Sequence, residues 1–599
     1  MSVSMAKTTV AGFLLDRLTE WGVRRIYGFP GDGINGILGA FHGREDELEF
    51  VQTRHEEIAA FAACAHAKVT GEVGVCLATS GPGAIHLLNG LYDAKLDHQP
   101  VVAIVGQQAR MALGSNFQQE VDLPVLFKDV AGAFVQQCNV PAQMPLLIDR
   151  ALRVAKATRS PTCIIIPNDV QEAEYEAPPR AHGAAHSSPE GFGRPVVTPD
   201  PGLLQQAADV LNAGEKVAIL IGQGAKGAAA QVEALADALG AGVAKALNGR
   251  AVLSDELPYV TGSIGLLGTK PSNDMIEGCD TFLMIGSSFP YSEWLPEVGQ
   301  ARGVQIDIDG RLIGMRYPME VNLVGDAAAT IDALMPLLTR KPQGSWRGEI
   351  ENGVRRWWEI LDDRANQSAD PINPQLVFHE LSKHLPDRAI LTADSGSSTN
   401  WWARHVRMRS GMDAILSGTL ATMCPAIPYA LAAKLAHPDR PVIASLGDGA
   451  FQMLGMNALI DIAKYQDRWS DQRLVICVLH NNDLNQVTWE QRVMSGDPKL
   501  EVSQVLPDFD YAGYARLIGL EGIKVERPED VGPGWEAALA AGRPALLEVV
   551  TDPEVPPLPP HIRFDQAKGI AQAMLSGEPQ APKIMRESIK GKLAEFTNR

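Results

Sequence analysis

PVIASLGDGA at residues 441–450 and LVICVLHNND at residues 474–483 are the two stretches that decide the fold. Each begins as a short apolar run, which is typical of a strand buried on both faces, and ends in polar residues. A helix-like segment, Met453–Ala463, separates them. This order predicts two parallel strands whose carboxyl ends bring Asp448 and Asn481 to the crevice where open α/β sheets bind ligands.

The same alternation continues along most of the chain. Apolar runs that predict strands are Val101–Val105, Cys163–Ile166, Val217–Ile221, Thr281–Ile285, Val304–Ile308, Val442–Ser445, Leu474–Leu479 and Ala545–Val550. Helix-like segments rich in Ala and Leu lie between them, at Ile58–Ala67, Leu204–Leu211 and Val232–Leu239. Apolar strands that alternate with helices are typical of parallel sheets covered on both faces.

Two linkers divide the chain. Residues 175–202 are dense in Pro, Gly and Ser, and residues 337–348 form a weaker break. We therefore predict an α/β protein with three doubly wound parallel-sheet domains, at residues 1–180, 200–340 and 350–552, followed by a C-terminal tail at residues 553–599.

Composition excludes several classes of protein. Of the 599 residues, 45% are hydrophobic and 21% are charged, a globular balance that argues against disorder or a coiled coil. The net charge of −18 argues against a general nucleic-acid binder. Seven cysteines without a CxxC pair predict neither a disulfide framework nor a zinc site. No apolar run reaches the roughly 18 residues of a membrane-spanning helix, so we expect a soluble, cytoplasmic protein.

The residues that follow the two decisive strands suit a metal and a phosphate. The Asp448 carboxylate and the Asn481 amide offer the hard oxygen ligands that Mg²⁺ prefers, and this ion usually also takes phosphate oxygens. Gly449 and the helix behind it can present backbone N–H groups to a diphosphate. A plain strand–helix turn explains Gly447-Asp448-Gly449 equally well by itself, but the asparagines one unit later make the pattern more specific.

These stretches resemble the cofactor motif of the thiamine-diphosphate (ThDP) enzymes. Matches to the pyrimidine-binding domain of that family are Arg54-His55-Glu56-Glu57, YGFPGDGING (Tyr27–Gly36) and SGPGAIHLLNGLYDA (Ser80–Ala94). Matches to bacterial pyruvate oxidases of the quinone-linked, acetate-forming kind are FPYSEWLP (Phe289–Pro296), VQIDIDGRLIG (Val304–Gly314), VNLVGD (Val321–Asp326), ADSGSSTNWWARHVRM (Ala393–Met408) and PPHIRFDQAKG (Pro559–Gly569). The resemblance, which extends to acetolactate synthase, implies a pyrimidine-binding, a central FAD-type and a diphosphate-binding domain.

The resemblance implies a catalytic role for Glu56, the counterpart of the glutamate that hydrogen-bonds N1′ of the cofactor's pyrimidine and so activates thiazolium C2. Without the metal motif, a surface glutamate at a helix start would be the simpler interpretation. Phe117 and Gln118 match a pair that lines the substrate pocket in relatives. His86 and His98 also match relatives, although a lone histidine is more often structural.

For Mg²⁺, the resemblance implies the side chains of Asp448 and Asn481 and the backbone carbonyl of Asp483. Asn482 is an alternative ligand, because the HNN stretch can be aligned in two ways. The match of Glu490 with a downstream glutamate of the family favours Asn481.

Further cofactor contacts are implied for Gly449, Ala450, Met423, Ser397 and Ser398. Met423 matches the bulky residue that props the cofactor into its bent form, and an ordinary buried methionine is compatible with that role. The two serines fall where the family contacts the diphosphate, but they could equally cap a loop.

The central domain is implied to bind FAD. Gly222-Gln223-Gly224 follows a predicted strand, as a close backbone approach requires. Asp307 and Asp326 match positions near the adenosine half of the flavin in relatives, although aspartates at strand ends also cap turns. The flavin could be redox-active, as in pyruvate oxidase, or structural, as in acetolactate synthase.

Four residues depart from the family pattern. His480 replaces the first asparagine of the family pair, and Asn485 and Gln486 stand where relatives usually have glycine and an apolar residue. Gln107 replaces a histidine common in pyruvate oxidases and looks more like acetolactate synthase. The spacing between the two decisive motifs is also several residues longer than usual. These departures put the substrate and efficient electron transfer in question.

The resemblance implies oxidative decarboxylation of pyruvate, or a similar 2-oxo acid, to acetate and CO₂, with electrons passing to FAD and then to quinone or another acceptor. The alternatives are an acetolactate-synthase-like carboligase with a spectator flavin, and a catalytically weak scaffold that binds the cofactor. In this family Glu56 faces the partner's cofactor, so we expect a homodimer at least and a tetramer as the fuller assembly.

The tail segment KIMRESIKGKLAEF, residues 583–596, predicts an amphipathic helix. Met585, Ile589, Leu593 and Phe596 recur at helical spacing among basic residues. Such a helix can lie on an anionic bilayer, which would place the protein peripherally on the inner face of the membrane. The same stripe could instead pack on the protein's own surface.

Overall fold

The computed structural model describes residues 8–182, 189, 192, 196–342, 344–557, 559 and 564–586. Its strands form three separate six-stranded sheets in which all pairings between strands are parallel, so the predicted fold class is confirmed.

The first sheet contains β1 (Arg25–Gly28), β2 (Glu49–Gln52), β3 (Gly74–Ala78), β4 (Val101–Gln107), β5 (Val135–Gln137) and β6 (Thr162–Pro167). The second contains β7 (Val217–Ile221), β8 (Gly242–Lys245), β9 (Val260–Ser263), β10 (Thr281–Ile285), β11 (Arg302–Asp307) and β12 (Val321–Val324). The third contains β13 (Ile390–Ala393), β14 (Asp413–Leu416), β15 (Val442–Gly447), β16 (Leu474–His480), β17 (Glu521–Val525) and β18 (Ala545–Val550).

The helices before β7 are α1 (Val10–Glu20), α2 (Asn35–Ala40), α3 (Glu56–Thr70), α4 (Pro82–His86), α5 (Leu88–Leu96), α6 (Leu123–Leu126), α7 (Met144–Thr158), α8 (Asn168–Gln171) and α9 (Pro201–Ala213). Those from β7 to β14 are α10 (Ala229–Leu239), α11 (Lys270–Gly278), α12 (Ala327–Leu334), α13 (Ser345–Ala365), α14 (Pro374–His384) and α15 (Ser397–His405). Those after β14 are α16 (Ala426–Ala436), α17 (Asp448–Ala450), α18 (Met456–Tyr465), α19 (Asn485–Glu490), α20 (Glu501–Gln504), α21 (Tyr511–Leu517), α22 (Val531–Ala540) and α23 (Phe564–Leu575).

The order of the strands locates the ligand-binding edge of each sheet. The first sheet has the order β2-β1-β3-β4-β6-β5, and the third has the equivalent order β14-β13-β15-β16-β18-β17. The second has the order β12-β11-β10-β7-β8-β9, which is that of dinucleotide-binding folds. The direction of winding reverses between β1 and β3, between β7 and β10, and between β13 and β15. Open parallel sheets bind ligands beyond the carboxyl ends of the strands at such switch points.

Burial explains why the apolar runs form strands. Every residue of β3, β4, β6, β7 and β10 is buried, because helices leave neither face of the sheet to solvent. The predicted runs 217–221, 281–285 and 545–550 coincide with β7, β10 and β18. The helix predicted at 453–463 starts later, because a turn of π-helix at Phe451–Gly455 precedes α18.

The chain forms two compact units. One comprises the described residues of the range 1–194 together with Ser417–Asp439 and Met453–Asp471, and within it α16 packs against α3. The other comprises the described residues of the ranges 195–416, 440–452 and 472–599, and it holds the second and third sheets.

The predicted tail helix lies largely outside the described residues. Met585 is described and is 56% exposed, whereas Ile589, Leu593 and Phe596 are not described. Across the described ranges, no helix is both long enough and apolar enough to cross a membrane.

Candidate active site

The third sheet collects the predicted metal and diphosphate residues at its switch point. β13, β15 and β16 are neighbours, and their carboxyl ends lead directly into residues 394–398, 447–450 and 481–483. The parallel direction of the three strands therefore brings Ser397, Asp448 and Asn481 to one edge of the sheet.

Asp448 is a buried carboxylate that backbone N–H groups hold in place. Its side chain is 2% exposed, and its Oδ2 accepts hydrogen bonds from the N–H groups of Asn481 (2.8 Å) and Asn482 (2.6 Å). Burial raises the pKa of Asp448 to about 6, and these N–H groups oppose that rise. A buried carboxylate that backbone N–H groups hold in place fits the binding of Mg²⁺.

The two asparagines after β16 differ in what their side chains contact. The Asn482 carbonyl oxygen lies 2.9 Å from His480 Nε2, and its amide nitrogen donates to Asp508 at 3.4 Å. The Asn481 oxygen accepts the N–H of Asp483 at 3.0 Å, which leaves one of its two lone pairs for a cation. Each side-chain oxygen therefore has one polar contact and one further lone pair, so both asparagines fit a cation and Asn481 stays the predicted ligand.

His480 joins the metal-binding turn to the neighbouring strand. Its Nδ1 lies 2.8 Å from a carboxylate oxygen of Glu548, which is fully buried on β18. The His480 ring thus lies between Glu548 and Asn482. The hydrogen bond from the Asn481 N–H to the Asp448 carboxylate is present beside it. This departure from the family pattern is compatible with metal binding.

The start of α15 fits a diphosphate. Ser397 follows Gly396, whose φ of +121° suits glycine, and a methyl group built on Gly396 meets no described atom within 4 Å. The Ser398 hydroxyl is buried and has no hydrogen-bond partner in the described part of the chain. An unpartnered hydroxyl in the first turn of a helix, where backbone N–H groups point outward, suits an anion.

The other departures have separate roles. Asn485 donates to the Asp483 carboxylate at 3.2 Å and to the Pro553 carbonyl at 2.8 Å. It therefore stabilises the turn of residues 481–483. Gln486 accepts from Asn400 at 2.7 Å and donates to Glu490 at 2.9 Å. Gln486 therefore orients the glutamate that the sequence analysis aligned with a family residue.

Glu56 lies at the first position of α3, in the unit that holds the first sheet. Its side chain is buried, and one of its carboxylate oxygens lies 2.9 Å from Nδ1 of His86. His55 caps the helix, because its Nδ1 accepts the N–H of Glu57 at 3.1 Å, and its ring stacks on that of His86 with 4.4 Å between centroids. A lone histidine in a sequence is more often structural, yet His86 directly contacts the predicted catalytic carboxyl.

The ring and carboxylate atoms of His55, Glu56 and His86 lie within 4.8 Å of one another, which is close enough to consider a metal ion. However, Nδ1 of His55 accepts a hydrogen bond, so in the neutral ring Nε2 carries the proton and cannot also bind a metal. The three residues therefore fit a hydrogen-bonded group better than a metal site.

Comparison with known proteins identifies the family. Models of three thiamine pyrophosphate enzyme domains match the chain: the N-terminal TPP binding domain at residues 8–125, the central domain at 204–334 and the C-terminal TPP binding domain at 394–549. The thiamine pyrophosphate-containing protein YdaP of Bacillus subtilis (strain 168) is 35% identical over 589 residues, which cover 98% of this chain and 99% of that protein. The chain belongs to the thiamine pyrophosphate enzymes.

Two further relatives bear the names that the sequence analysis gave. The pyruvate oxidase of Lactiplantibacillus plantarum is 29% identical over 558 residues, or 92% of this chain and 90% of that protein. An acetolactate synthase large subunit of Methanocaldococcus jannaschii is 29% identical over 567 residues, or 91% of this chain and 93% of that protein. The chain is thus a ThDP-dependent enzyme related to acetolactate synthase, and ThDP is its cofactor.

The remaining predicted residues of this ThDP enzyme fall in two settings. Phe117 and Gln118 lie on an exposed loop, where the Phe117 side chain is 54% exposed and its N–H donates to Glu120. Met423 is half-buried in the segment between β14 and α16, and Ala450 is buried directly after Gly449. The roles of these residues stay predictions.

Asp461 is a residue of this ThDP enzyme that the sequence analysis missed. It lies on α18, is fully buried, and accepts the N–H of Arg54 at 3.1 Å while pairing with its guanidinium at 3.2 Å. Arg54 stands two residues before Glu56, so Asp461 holds the turn that carries the predicted catalytic residue. Burial raises the pKa of Asp461 to about 7. Its distance of more than 400 positions from Arg54 left no local signal in the sequence.

The predicted flavin residues at the central sheet of the ThDP enzyme have contacts within their own domain. A methyl group built on Gly222 would lie 2.4 Å from the Gly286 carbonyl oxygen, and one on Gly224 would lie 2.6 Å from the Gly286 Cα atom. Asp326 caps α12 by accepting the Ala329 N–H at 3.1 Å, and Asp307 accepts the N–H of Asp309 at 2.9 Å. The contacts of Asp326 and Asp307 match the alternative that these aspartates cap turns. A flavin is not needed to explain why these aspartates and the two glycines are present.

Proposed function

We propose that this ThDP enzyme oxidatively decarboxylates pyruvate, or a similar small 2-oxo acid, to acetate and CO₂, passing the electrons to FAD and then to quinone or another acceptor. The observation that carries the proposal is the strand order of the central sheet. That order is typical of dinucleotide-binding folds, and along the chain the central domain lies between the N-terminal and the C-terminal TPP binding domain. The similarity to a pyruvate oxidase supports the choice of substrate.

The residues of the third sheet would hold the metal and the diphosphate. Asp448, Asn481 and the backbone carbonyl of Asp483 are the proposed Mg²⁺ ligands, and their oxygen chemistry fits that ion. The Ser398 hydroxyl and the first N–H groups of α15 are the proposed diphosphate contacts, together with Gly449 and Ala450. When bound, ThDP supplies a nucleophilic carbon and accepts the electron pair that CO₂ leaves behind.

Glu56 would hold a proton at N1′ of the cofactor's pyrimidine. A carboxyl suits this task when its geometry is fixed and water is scarce, and Glu56 is 7% exposed with His86 bound to one oxygen. His86 contacts that oxygen and leaves the other one for the cofactor. We also propose that Glu56 serves the cofactor of a partner subunit, which makes a homodimer the smallest active form and a tetramer the fuller assembly.

FAD binding is supported by the strand order of the central sheet and not by its side chains. Gly222, Gly224 and Asp326 are explained by contacts within the domain. Asp307 keeps a buried carboxylate at the end of β11, next to the switch point, where it could meet a ribose hydroxyl. We propose FAD binding at this edge, and peripheral membrane contact through the tail if the acceptor is quinone.

The second candidate is a carboligase that resembles acetolactate synthase. Gln107, which resembles the residue found in that enzyme, is buried at the end of β4 and donates to the Val121 carbonyl at 3.0 Å. Gln107 therefore positions the loop that follows it, which contains Phe117. A carboligase would form acetolactate from pyruvate without an electron acceptor.

An anaerobic absorbance spectrum tests the proposal. The purified protein is incubated with ThDP, Mg²⁺ and FAD, freed of unbound flavin, and recorded before and after addition of pyruvate. We expect bleaching of a bound flavin band and formation of acetate. An unchanged band with acetolactate among the products would replace the proposal with the carboligase, and absence of bound flavin would remove FAD from it.

A further inference from the structure

The segment of residues 417–424, which carries Met423, has an unusual backbone. Ala421 and Cys424 have φ values of +53° and +83°, a left-handed region that residues other than glycine rarely adopt. They lie on either side of Met423. Such conformations persist only where surrounding contacts hold them, and they are frequent at functional sites.

A buried carboxylate holds the first half of this segment. Asp97, at the end of α5, accepts the N–H groups of Gly418 and Thr419, each at 2.9 Å. Lys68 on α3 donates to the same carboxylate at 2.7 Å and to the Tyr429 hydroxyl at 2.8 Å. Burial alone would raise the pKa of Asp97, but the charge of Lys68 and the hydrogen bonds from Lys68, Gly418 and Thr419 together lower that pKa, which favours the ionised carboxylate.

A half-buried amide, that of Asn89, contacts the second half. Asn89 donates to Glu57 on α3 at 2.7 Å and to the Thr422 hydroxyl at 3.0 Å. The Thr422 hydroxyl donates in turn to the carbonyl oxygen of Met423 at 3.1 Å. Asn89 thus connects the helix that begins with Glu56 to the backbone of Met423 within one compact unit.

Both holding residues lie on one face of α5. Asn89, Asp93 and Asp97 are spaced four residues apart, and Asp93 and Asp97 are fully buried. Three polar side chains at helical spacing on the buried face of a helix are unexpected for packing alone, because each must find a partner there. All three contact the segment of residues 417–424, Asp93 through the side chain of Ser417.

We propose that Asp97 and Asn89 are positioning residues that hold the strained segment of residues 417–424, so that Met423 is presented to the pyrimidine half of ThDP in one conformation. The inference rests on the proposed role of Met423. It adds that the shape of the cofactor site depends on α5, a helix without a predicted cofactor contact.

The first test uses Thr422→Val, which removes the hydroxyl at nearly constant volume, with Thr422→Ser as the variant that retains it. Hydrogen exchange at the amides of residues 418–424 is measured on the full-length protein without cofactor. We expect Thr422→Val to accelerate exchange about 2- to 10-fold, the effect of losing one hydrogen bond, and Thr422→Ser to stay near the wild type. Equal exchange in Thr422→Val and the wild type would overturn the proposal.

The second test uses Asp97→Asn, with Asp149→Asn as its matched control. Asp149 is also a buried carboxylate in an ion pair, with Arg17 of α1 at 2.6 Å, and it also accepts from Trp21, the residue directly after that helix. We expect Asp97→Asn to accelerate exchange at the amides of Gly418 and Thr419 about 10-fold or more. Acceleration of the same size in Asp149→Asn would show general destabilisation and would contradict the proposal.

The readout on the cofactor is proton exchange at C2 of bound ThDP, followed by NMR at saturating ThDP and Mg²⁺. We expect Thr422→Val to slow this exchange about 10-fold, because a small misplacement is costly for proton transfer, with a smaller change in ThDP affinity. An unchanged C2 exchange rate beside faster amide exchange would overturn the role of the segment in cofactor placement. Failure of the wild type to bind ThDP would instead overturn the proposed function, while the amide measurement still decides what holds the segment.

Discussion

The switch points of the second and third sheets lie in the same compact unit but are built differently. At the third, methyl groups built on Gly396 and Gly447 meet no described atom within 4 Å, and the Ser398 hydroxyl has no partner in the described part of the chain. At the second, Gly222 and Gly224 press against the backbone of Gly286.

Glycines at a switch point therefore serve two different structural roles. Where a missing side chain leaves open space beside unpartnered polar atoms, the site is prepared for a ligand. Where it admits another part of the backbone, the glycine serves packing. The chemistry therefore depends on the residues at the edge of a sheet and not on the fold alone.

The largest expected effect is at the third switch point. Asp448→Asn should weaken binding of ThDP and Mg²⁺ roughly 100-fold, since losing one partner of a buried charged contact costs about 2–5 kcal/mol. Titration calorimetry measures the change. Asp307→Asn, at the second switch point, is the control and should leave ThDP affinity unchanged. Equal loss in both variants would erase the distinction between the two edges.

A pair of glycine substitutions sharpens the comparison. Gly222→Ala should lower the free energy of unfolding by about 1–3 kcal/mol, because the new methyl group overlaps the Gly286 carbonyl. Gly447→Ala should change it by less than about 0.5 kcal/mol, because the space is open and its φ of −87° suits alanine. Urea denaturation followed by circular dichroism compares the two. Similar losses would contradict the difference in packing.

A smaller effect is expected at Asp326. Asp326→Ala should cost about 1 kcal/mol of stability through loss of the α12 cap. Bound FAD, measured by absorbance after gel filtration, should remain. Loss of flavin without loss of stability would show that Asp326 contacts the cofactor and that the capping interpretation is wrong.

The smallest expected effect is on the pH dependence of the free energy of unfolding. Burial raises the pKa of Asp307 above its ordinary 3.8, so the folded protein binds this proton more tightly than the unfolded chain does. The protonated form of Asp307 therefore adds to the free energy of unfolding at low pH. This contribution is lost as the pH rises from about 3.8 through the raised pKa. The unfolding free energy of Asp307→Asn relative to wild type should increase across this window. A constant difference would indicate an unshifted carboxyl.

Much of the molecule could be predicted from local patterns. Short apolar runs predicted β7, β10 and β18 with their correct bounds, because a strand covered on both faces must be apolar throughout. The spacing of Asp448 and Asn481 predicted one shared edge, since parallel neighbours end on the same side. The roles of Asp461 and His86 could not be predicted in this way. The partner of Asp461, Arg54, is more than 400 positions away, and a single histidine such as His86 carries no pattern that identifies its partner.

By itself, the sequence determined the fold class, the ThDP family and the edge at which the cofactor residues gather, because strand periodicity and short motifs are local properties. Only the tertiary structure decided which backbone groups hold Asp448, which glycines face open space, and that Asn89 and Asp97 contact the segment of residues 417–424. Those outcomes depend on contacts between distant segments, such as Asn89 with Thr422, and no local pattern records them.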